Sequence, residues 1–459
     1  MPAAAERWSG RLGFILATVG SAVGLGSIWK FPYEVGANGG SAFVLFYLLG
    51  LALVVVPLMF AEFAIGRRGR GDPATSIAAV AAAHGARRHW ALAGLLGVGT
   101  GFLILSFYSV IAGWTLSYAF ETALSGLPAA EPQAVQARFD ALLGSPWRIA
   151  AWHGVFMAVC AMIVARGISG GIEKACLMLM PLLGVLLLAL AVYSVATGDL
   201  PATLRFLFKL DPQRLDGGVA LEALGLGFFS IGVGLGLMIT YAAYAGAEIS
   251  LRQVAVVSVA VDTAISFLAG FAVFPVVFAH GLDPASGAGL VFVTLPLAFA
   301  DMPHGTVAAV AFFVLLFVAA LASAISLLEI VVAMLVRRRG WTRGRASLAA
   351  AATCFVAGIA TVLSFNLWSA WYPLAWLSNL GLPGFGHATV FDLLDHLTSN
   401  VLLPLTGLLL ALFAGWALPE RLFAEELRLG ARGGRLLRAL LRYIVPPAIA
   451  AIGLAAVVA

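Results

Sequence analysis

Apolar runs long enough to cross a bilayer recur along the whole chain, centred near Val19, Val54, Leu105, Val159, Leu187, Gly232, Leu268, Val318, Val356, Leu408 and Ala450. A helix of about 20 apolar residues spans the hydrocarbon core. The pattern therefore predicts about eleven spans and an all-α polytopic membrane protein, with one transmembrane domain over residues 1–459. Two runs are interrupted. The first carries Gly20, Gly24 and Gly26, followed by Lys30 and Pro32; the sixth carries Gly232, Gly234 and Gly236 at its centre. Lipid offers exposed backbone N–H and C=O groups no partner, so a break in a spanning helix needs a cause. It frees carbonyls to hold a cation and, at a new helix N-terminus, amides to hold an anion, as in discontinuous transporter helices. Taken alone, the same glycines serve close helix packing equally well. The order of the spans fits a five-plus-five inverted repeat with broken helices one and six. Residues 10–200 would form the first half and 218–418 the second, leaving 437–459 as an extra C-terminal helix.

Composition narrows the class further. The 459 residues are 62% hydrophobic and 11% charged, with a net charge of +5, and no polar stretch is long enough for a soluble domain. The positive charge implies no nucleic-acid partner, because the arginines sit in loops and helix ends. Arg67, Arg68, Arg70, Arg87 and Arg88 occupy one loop, Arg166 and Lys174 the next on that side, then Arg252, Arg337 to Arg345, and Arg421 to Arg442. The alternate loops carry Glu131, Asp140, Asp283, Asp301 and Asp392. Positively charged loops stay cytoplasmic, which places the N-terminus in the cytoplasm and the C-terminus outside. The short polar leader reads as retained rather than as a cleaved signal. Cys160, Cys176 and Cys354 lie in or beside apolar spans without metal-ligand spacing and read as buried small hydrophobes.

Candidate chemistry is sparse and lies inside the spans. Asp262 falls within the seventh, where a charged carboxylate costs ~3 kcal/mol and a functional role is the default reading. In the eighth, Ala319, Ala322, Ser323 and Ser326 share one helix face at i, i+3, i+4 and i+7. An intramembrane enzyme lacks a His/Glu metal set, a Ser–Lys dyad or paired carboxylates on facing spans, so the chain reads as no enzyme. A channel lacks a ring of like charges or a filter motif.

Residues 7–43 (RWSGRLGFILATVGSAVGLGSIWKFPYEVGANGGSAF), with 57–68 (PLMFAEFAIGRR), 101–114 and 228–244, resemble the signature segments of the neurotransmitter:sodium symporter family. The resemblance covers essentially the whole chain, and the count of about eleven spans suits the family's bacterial amino-acid transporters. It implies spans one, two, six and seven moving against a scaffold in the bacterial inner membrane. Matching positions imply a substrate carboxylate on the Leu25 and Gly26 amides and the Tyr108 hydroxyl, with the amino group on carbonyls of Ala22, Phe229 and Ser230. Side-chain selectivity would rest on Ile104, Phe229, Gly232, Leu235, Ser323 and Leu327. Gly232 stands where many members carry serine and Leu235 where several carry phenylalanine. Both changes enlarge an apolar pocket and imply a bulky hydrophobic or aromatic L-amino acid.

The resemblance also implies two sodium ions. The first would take the Ala22 carbonyl, Ser27, Ser230 and Ser258; the second, the carbonyls of Gly20, Val23 and Ala319 with Ser323. Ser27 and Ser258 replace asparagines of some members, and Ala322 removes an oxygen ligand usual at the second site. Asp262, beside Tyr47, matches the carboxylate that replaces chloride, although Leu226 stands for a usual glutamine. Lys30 and Asp395 match the external ion pair above an aromatic lid of Phe229 and Tyr108. Trp8 and Tyr244 match the cytoplasmic gate. Arg7 sits two positions late, and Arg337 falls where its acidic partner is expected, leaving the cytoplasmic closure unassigned. The resulting expectation is sodium-coupled, chloride-independent amino-acid symport by alternating access. Proton-coupled or sodium-independent transport of an amino acid or amine is the alternative. The partners expected are the small-molecule substrate, sodium ions and the lipid bilayer. The span near Ala450 is left with two placements, peripheral packing or a homodimer contact.

Overall fold

The first apolar run forms a helix over Arg11–Ala22 (α1) and resumes as Gly26–Ala37 (α2), with a bend of 53° between them. The computed structural model describes residues 6–284, 289–380 and 383–458, so the ends of the expected domain range, residues 1–5 and 459, lie outside it. Four long apolar helices follow: Ser41–Gly69 (α3), Arg88–Ser125 (α4), Pro146–Ala165 (α5) and Ile168–Thr197 (α6). The sixth run is split into Gly217–Ile231 (α7) and Leu237–Ala243 (α8). Five more helices complete the chain: Leu251–Ala279 (α9), Gly305–Arg339 (α10), Arg343–Ser364 (α11), Val390–Ala417 (α12) and Ala431–Ala455 (α13). Among the described residues nine helices are long and apolar enough to cross a membrane, and the bent pair makes ten. The split sixth run escapes that criterion because neither arm is long enough to span.

Each break has a local cause. Val23 leaves the helix with extended backbone (φ −74°, ψ 105°). At Gly24 a Cβ would stand 2.5 Å from the Ser323 hydroxyl and 3.0 Å from that of Tyr108. Only glycine lets the first span approach the third and eighth this closely. In the sixth run Gly232, Gly234 and Gly236 adopt φ of +70°, +96° and +78°, the left-handed region that glycine enters at little steric cost. The amide freed at Gly234 donates to the Glu62 carboxylate of α3 at 2.5 Å, so the break meets a buried acid rather than lipid.

The helices pack in two groups. In one, α1 and α2 lie against α9, with α3 against α7 and α8. In the other, α4 packs along α10 and both meet α5 and α11. The most apolar stretch of α10 is 78% buried and that of α4 72%, against 28% for α13. Thus α4 and α10 form the inner wall, while α13 lies outside on α12 and reaches α7. Helix α1 touches both groups, so the broken segment sits where they meet.

Close contact between α3 and α8 gives a stability test. A Cβ at Gly66 would lie 2.1 Å from the Ile239 carbonyl oxygen, whereas one at Gly99 meets nothing within 4 Å. Overpacking typically costs ~1–3 kcal/mol. Gly66→Ala should therefore lower the thermal unfolding midpoint in detergent, and Gly99→Ala should leave it unchanged.

Candidate substrate and cation site

The two breaks face each other across one small, closely lined pocket of ≈ 40 Å³. Ala22, Leu25, Gly26, Ile104, Tyr108, Phe229, Ser230, Gly232, Leu235, Ser323 and Leu327 all line it, so the structure gathers every residue expected to touch substrate. Ser21, Gly24, Leu237 and Leu403 complete the wall. At one end the Leu25 amide donates to the Tyr108 hydroxyl at 3.3 Å. An amide at a helix start and a phenol hydroxyl meeting inside the bilayer form a ready anion site. Elsewhere the wall mixes the aliphatic Ile104, Leu235 and Leu327, all buried, with Phe229 and the hydroxyls of Ser21, Ser230 and Ser323.

Oxygen atoms gather on either side of the first break. The Ser27 hydroxyl lies 2.9 Å from that of Ser230 and donates to Asp262 Oδ1 at 2.5 Å. Ser230 and Tyr47 donate to Asp262 Oδ2 at 3.2 and 3.4 Å. The Ser258 hydroxyl is buried with no hydrogen-bond partner. On the other side Ser323 donates to the carbonyls of Gly20 and Val23 at 3.4 and 3.2 Å. Both sets consist of the hard oxygen donors an alkali cation takes. A Cβ added at Gly20 would meet the Ala322 Cβ at 3.3 Å, so a methyl group occupies the place where a further oxygen was expected.

The end expected to face outward differs from expectation. Lys30 and Asp395 make no ion pair: the Lys30 ammonium lies 4.7 Å from the Phe229 ring centroid, and Asp395 accepts from Ser399 at 3.0 Å. A lysine ammonium on a flexible stem has no bidentate geometry to hold it on a carboxylate, and the aromatic face attracts it instead. Phe229 and Tyr108 form no ring pair among the described residues, since the Tyr108 hydroxyl is directed to Leu25. Phe229 lines both the pocket and a neighbouring cavity that also contains Lys30, Glu34, Glu222 and His396.

At the end expected to face the cytoplasm the N-terminal segment is tied down by several contacts. Trp8 is buried, donating from its indole to the Tyr241 carbonyl at 2.9 Å and from its amide to the Tyr244 carbonyl at 3.5 Å. The Tyr244 hydroxyl donates to Glu329 at 3.0 Å. Arg343 pairs with Glu329 and also with Glu6 at 2.7 Å, and Ser9 donates to Glu173 at 2.9 Å. One arginine thus ties the N-terminal strand to α10 and α11.

The sequence profile described as the Sodium:neurotransmitter symporter family matches residues 5–135 and 134–380. A sodium-dependent transporter of Bacillus subtilis, YhdH, is 36% identical over 447 residues and 96% of both chains. The chain belongs to the sodium:neurotransmitter symporter family. The sodium-dependent dopamine transporter of Bos taurus is 28% identical over 71% of this chain and 53% of its own. The crystal structure of MhsT in complex with L-phenylalanine matches with a TM-score of 0.88 at 42% identity, covering 98% of this chain and 99% of that one. As a member of the family, the protein is a sodium-dependent, multi-pass membrane transporter of a small substrate and not an enzyme.

For a symporter of this family the cytoplasmic latch is what sequence reasoning missed. Glu329 and Glu62 are carboxylates inside apolar spans, the signal that drew attention to Asp262, and applying it evenly would have found both. Arg343 and Glu6 gave no such signal, since each reads as an ordinary loop charge. Ser21, a pocket-lining hydroxyl without a hydrogen-bond partner, was missed because single serines are unremarkable in packed spans. Removing one partner of a buried ion pair costs ~3–5 kcal/mol. Arg343→Ala should speed maleimide labelling of a cysteine introduced at Ala243 at least about tenfold. The three native cysteines are buried and give little background. Adding Glu329→Gln should recover part of the closure; an unchanged rate in Arg343→Ala would remove the latch assignment.

Proposed function

We propose that the protein carries a bulky hydrophobic or aromatic L-amino acid inward together with sodium, without chloride, by alternating access. The observation carrying this reading is the Leu25 amide and Tyr108 hydroxyl meeting at 3.3 Å beneath a mostly apolar wall. A substrate carboxylate would take both donors, while its side chain would fill the space beside Gly232, Leu235 and Leu327. L-Phenylalanine in the MhsT structure supports the amino-acid class.

Two sodium sites are proposed, with the Ala22 carbonyl, Ser27, Ser230 and Ser258 at the first. The carbonyls of Gly20, Val23 and Ala319, with Ser323, form the second. The first would adjoin the substrate carboxylate, which gives cation and substrate a shared coupling free energy. The second lacks the oxygen that Ala322 replaces and would bind more weakly. That same methyl favours the alternative driver, protons or none. Asp262 supplies fixed negative charge beside Ser27 and Ser230 in place of chloride. We further read residues 10–200 and 218–418 as inverted halves, in a bacterial cytoplasmic membrane with the N-terminus inside and the C-terminus outside.

Uptake of labelled L-phenylalanine into proteoliposomes, with the other amino acids as competitors, tests the substrate class. Leucine, tryptophan and tyrosine should compete; competition by glycine or alanine alone would refute it. A hydrogen bond to a charged group contributes ~1.5–3 kcal/mol, so Tyr108→Phe should raise the apparent Kd for L-phenylalanine about tenfold or more. Asp262→Ser should turn chloride-indifferent uptake into uptake that chloride stimulates, and indifference in the variant would argue against the role of Asp262.

A further inference from the structure

Below the latch lies a cytoplasmic cavity of ≈ 810 Å³ that shares no lining residue with the central pocket. Its charged lining is unbalanced. Glu6 is committed to Arg343, and Asp72 to Arg338 at 3.7 Å. Arg7, Arg70 and Arg337 also face the cavity, and among the described residues none of them has an acidic partner within 4.0 Å. Beside Thr342 and the latch arginine Arg343, the rest of the wall is mostly apolar or aromatic, with Ala333, Val336, Tyr244 and Trp341, whose ring also meets the Arg345 guanidinium at 4.6 Å. Low-dielectric walls lined with one sign of charge focus the field and concentrate counter-ions. Arg7 and Arg337 line this cavity from the N-terminal segment and from α10, which the Glu6–Arg343–Glu329 latch also joins.

We propose that this cavity is a cytosolic binding site for an organic carboxylate with an apolar or aromatic body. The carboxylate bridges Arg7 and Arg337 while the body lies against Trp341 and Tyr244. Its charge ties the N-terminal segment to α10 through the two guanidinium groups, so occupancy holds the cytoplasmic side closed. Planar guanidinium groups suit two-point recognition of a carboxylate. All three arginines are exposed, so salt screens the interaction and binding falls in about the millimolar range. The ligand could be the released amino acid or another cytosolic acid. The site does not depend on the identity of the central substrate.

The test uses the purified full chain with a cysteine at Ala243, which lines the cavity, in sodium-free choline buffer so that symport at the central site is not driven. Phenylacetate at about 10 mM should slow maleimide labelling at least about threefold, and chloride at equal ionic strength should not. Arg7→Gln and Arg337→Gln, each checked by thermal unfolding, should abolish the protection. Arg337→Lys should retain part of it. Protection by L-phenylalanine and phenylacetate alike supports a site open to either source; protection by L-phenylalanine alone narrows the ligand to the released amino acid. Equal protection by chloride, undiminished protection in both glutamine variants, or none in the parent protein overturns the proposal.

Discussion

Inside a bilayer a freed backbone group must find a partner within the protein, and the two broken spans turn that constraint into a site. The breaks at Val23–Leu25 and Gly232–Gly236 are tolerated because specific groups meet them. Tyr108 accepts from the Leu25 amide, Ser323 donates to the Gly20 and Val23 carbonyls, and Glu62 accepts from the Gly234 amide. These partners come from spans two, three and eight, so the packing of α3, α4 and α10 around the breaks is fixed by the need to satisfy them. The same groups are those a carboxylate or a cation would engage. Stability and binding therefore draw on one set of atoms.

Three buried carboxylates organise the remainder. Asp262 collects the hydroxyls of Ser27, Ser230 and Tyr47 from the first, sixth and second spans. Glu62 holds the second break, and Glu329 anchors the cytoplasmic latch through Tyr244 and Arg343. Glu329 joins the two groups, whereas Asp262 and Glu62 tie together elements within the first. Apolar contact permits sliding, whereas a hydrogen-bonded acid has discrete partners. Such contacts suit a protein that must occupy distinct closed and open arrangements. In the present arrangement the Arg343 latch is formed at one end, and at the other Phe229 lines both the pocket and the neighbouring cavity.

Much of this was legible in the sequence because its signals are local. Eleven apolar runs, two glycine-rich interruptions and an aspartate in mid-span are visible without any tertiary contact, and the signature segments gave the central pocket residue by residue. What was not legible depends on distant pairing. Lys30 and Asp395 matched a family position but do not meet, because the lysine ammonium settles on Phe229. Arg343 looked like one of several loop arginines until α11 brought it beside Glu329. Arg7 and Arg337 departed from the expected latch, and only the structure supplied the Glu6–Arg343–Glu329 arrangement that stands in its place.

The dependence of L-phenylalanine binding on sodium, measured by equilibrium titration of the purified protein with choline as the replacement cation, tests most directly whether the broken first span joins substrate to cation. The proposed use of Ala22 and Ser230 by both substrate and the first sodium requires affinity to rise steeply as sodium replaces choline. Equal affinity in the two salts would mean that the first break binds substrate without the cation, and the coupling assigned to it would be wrong.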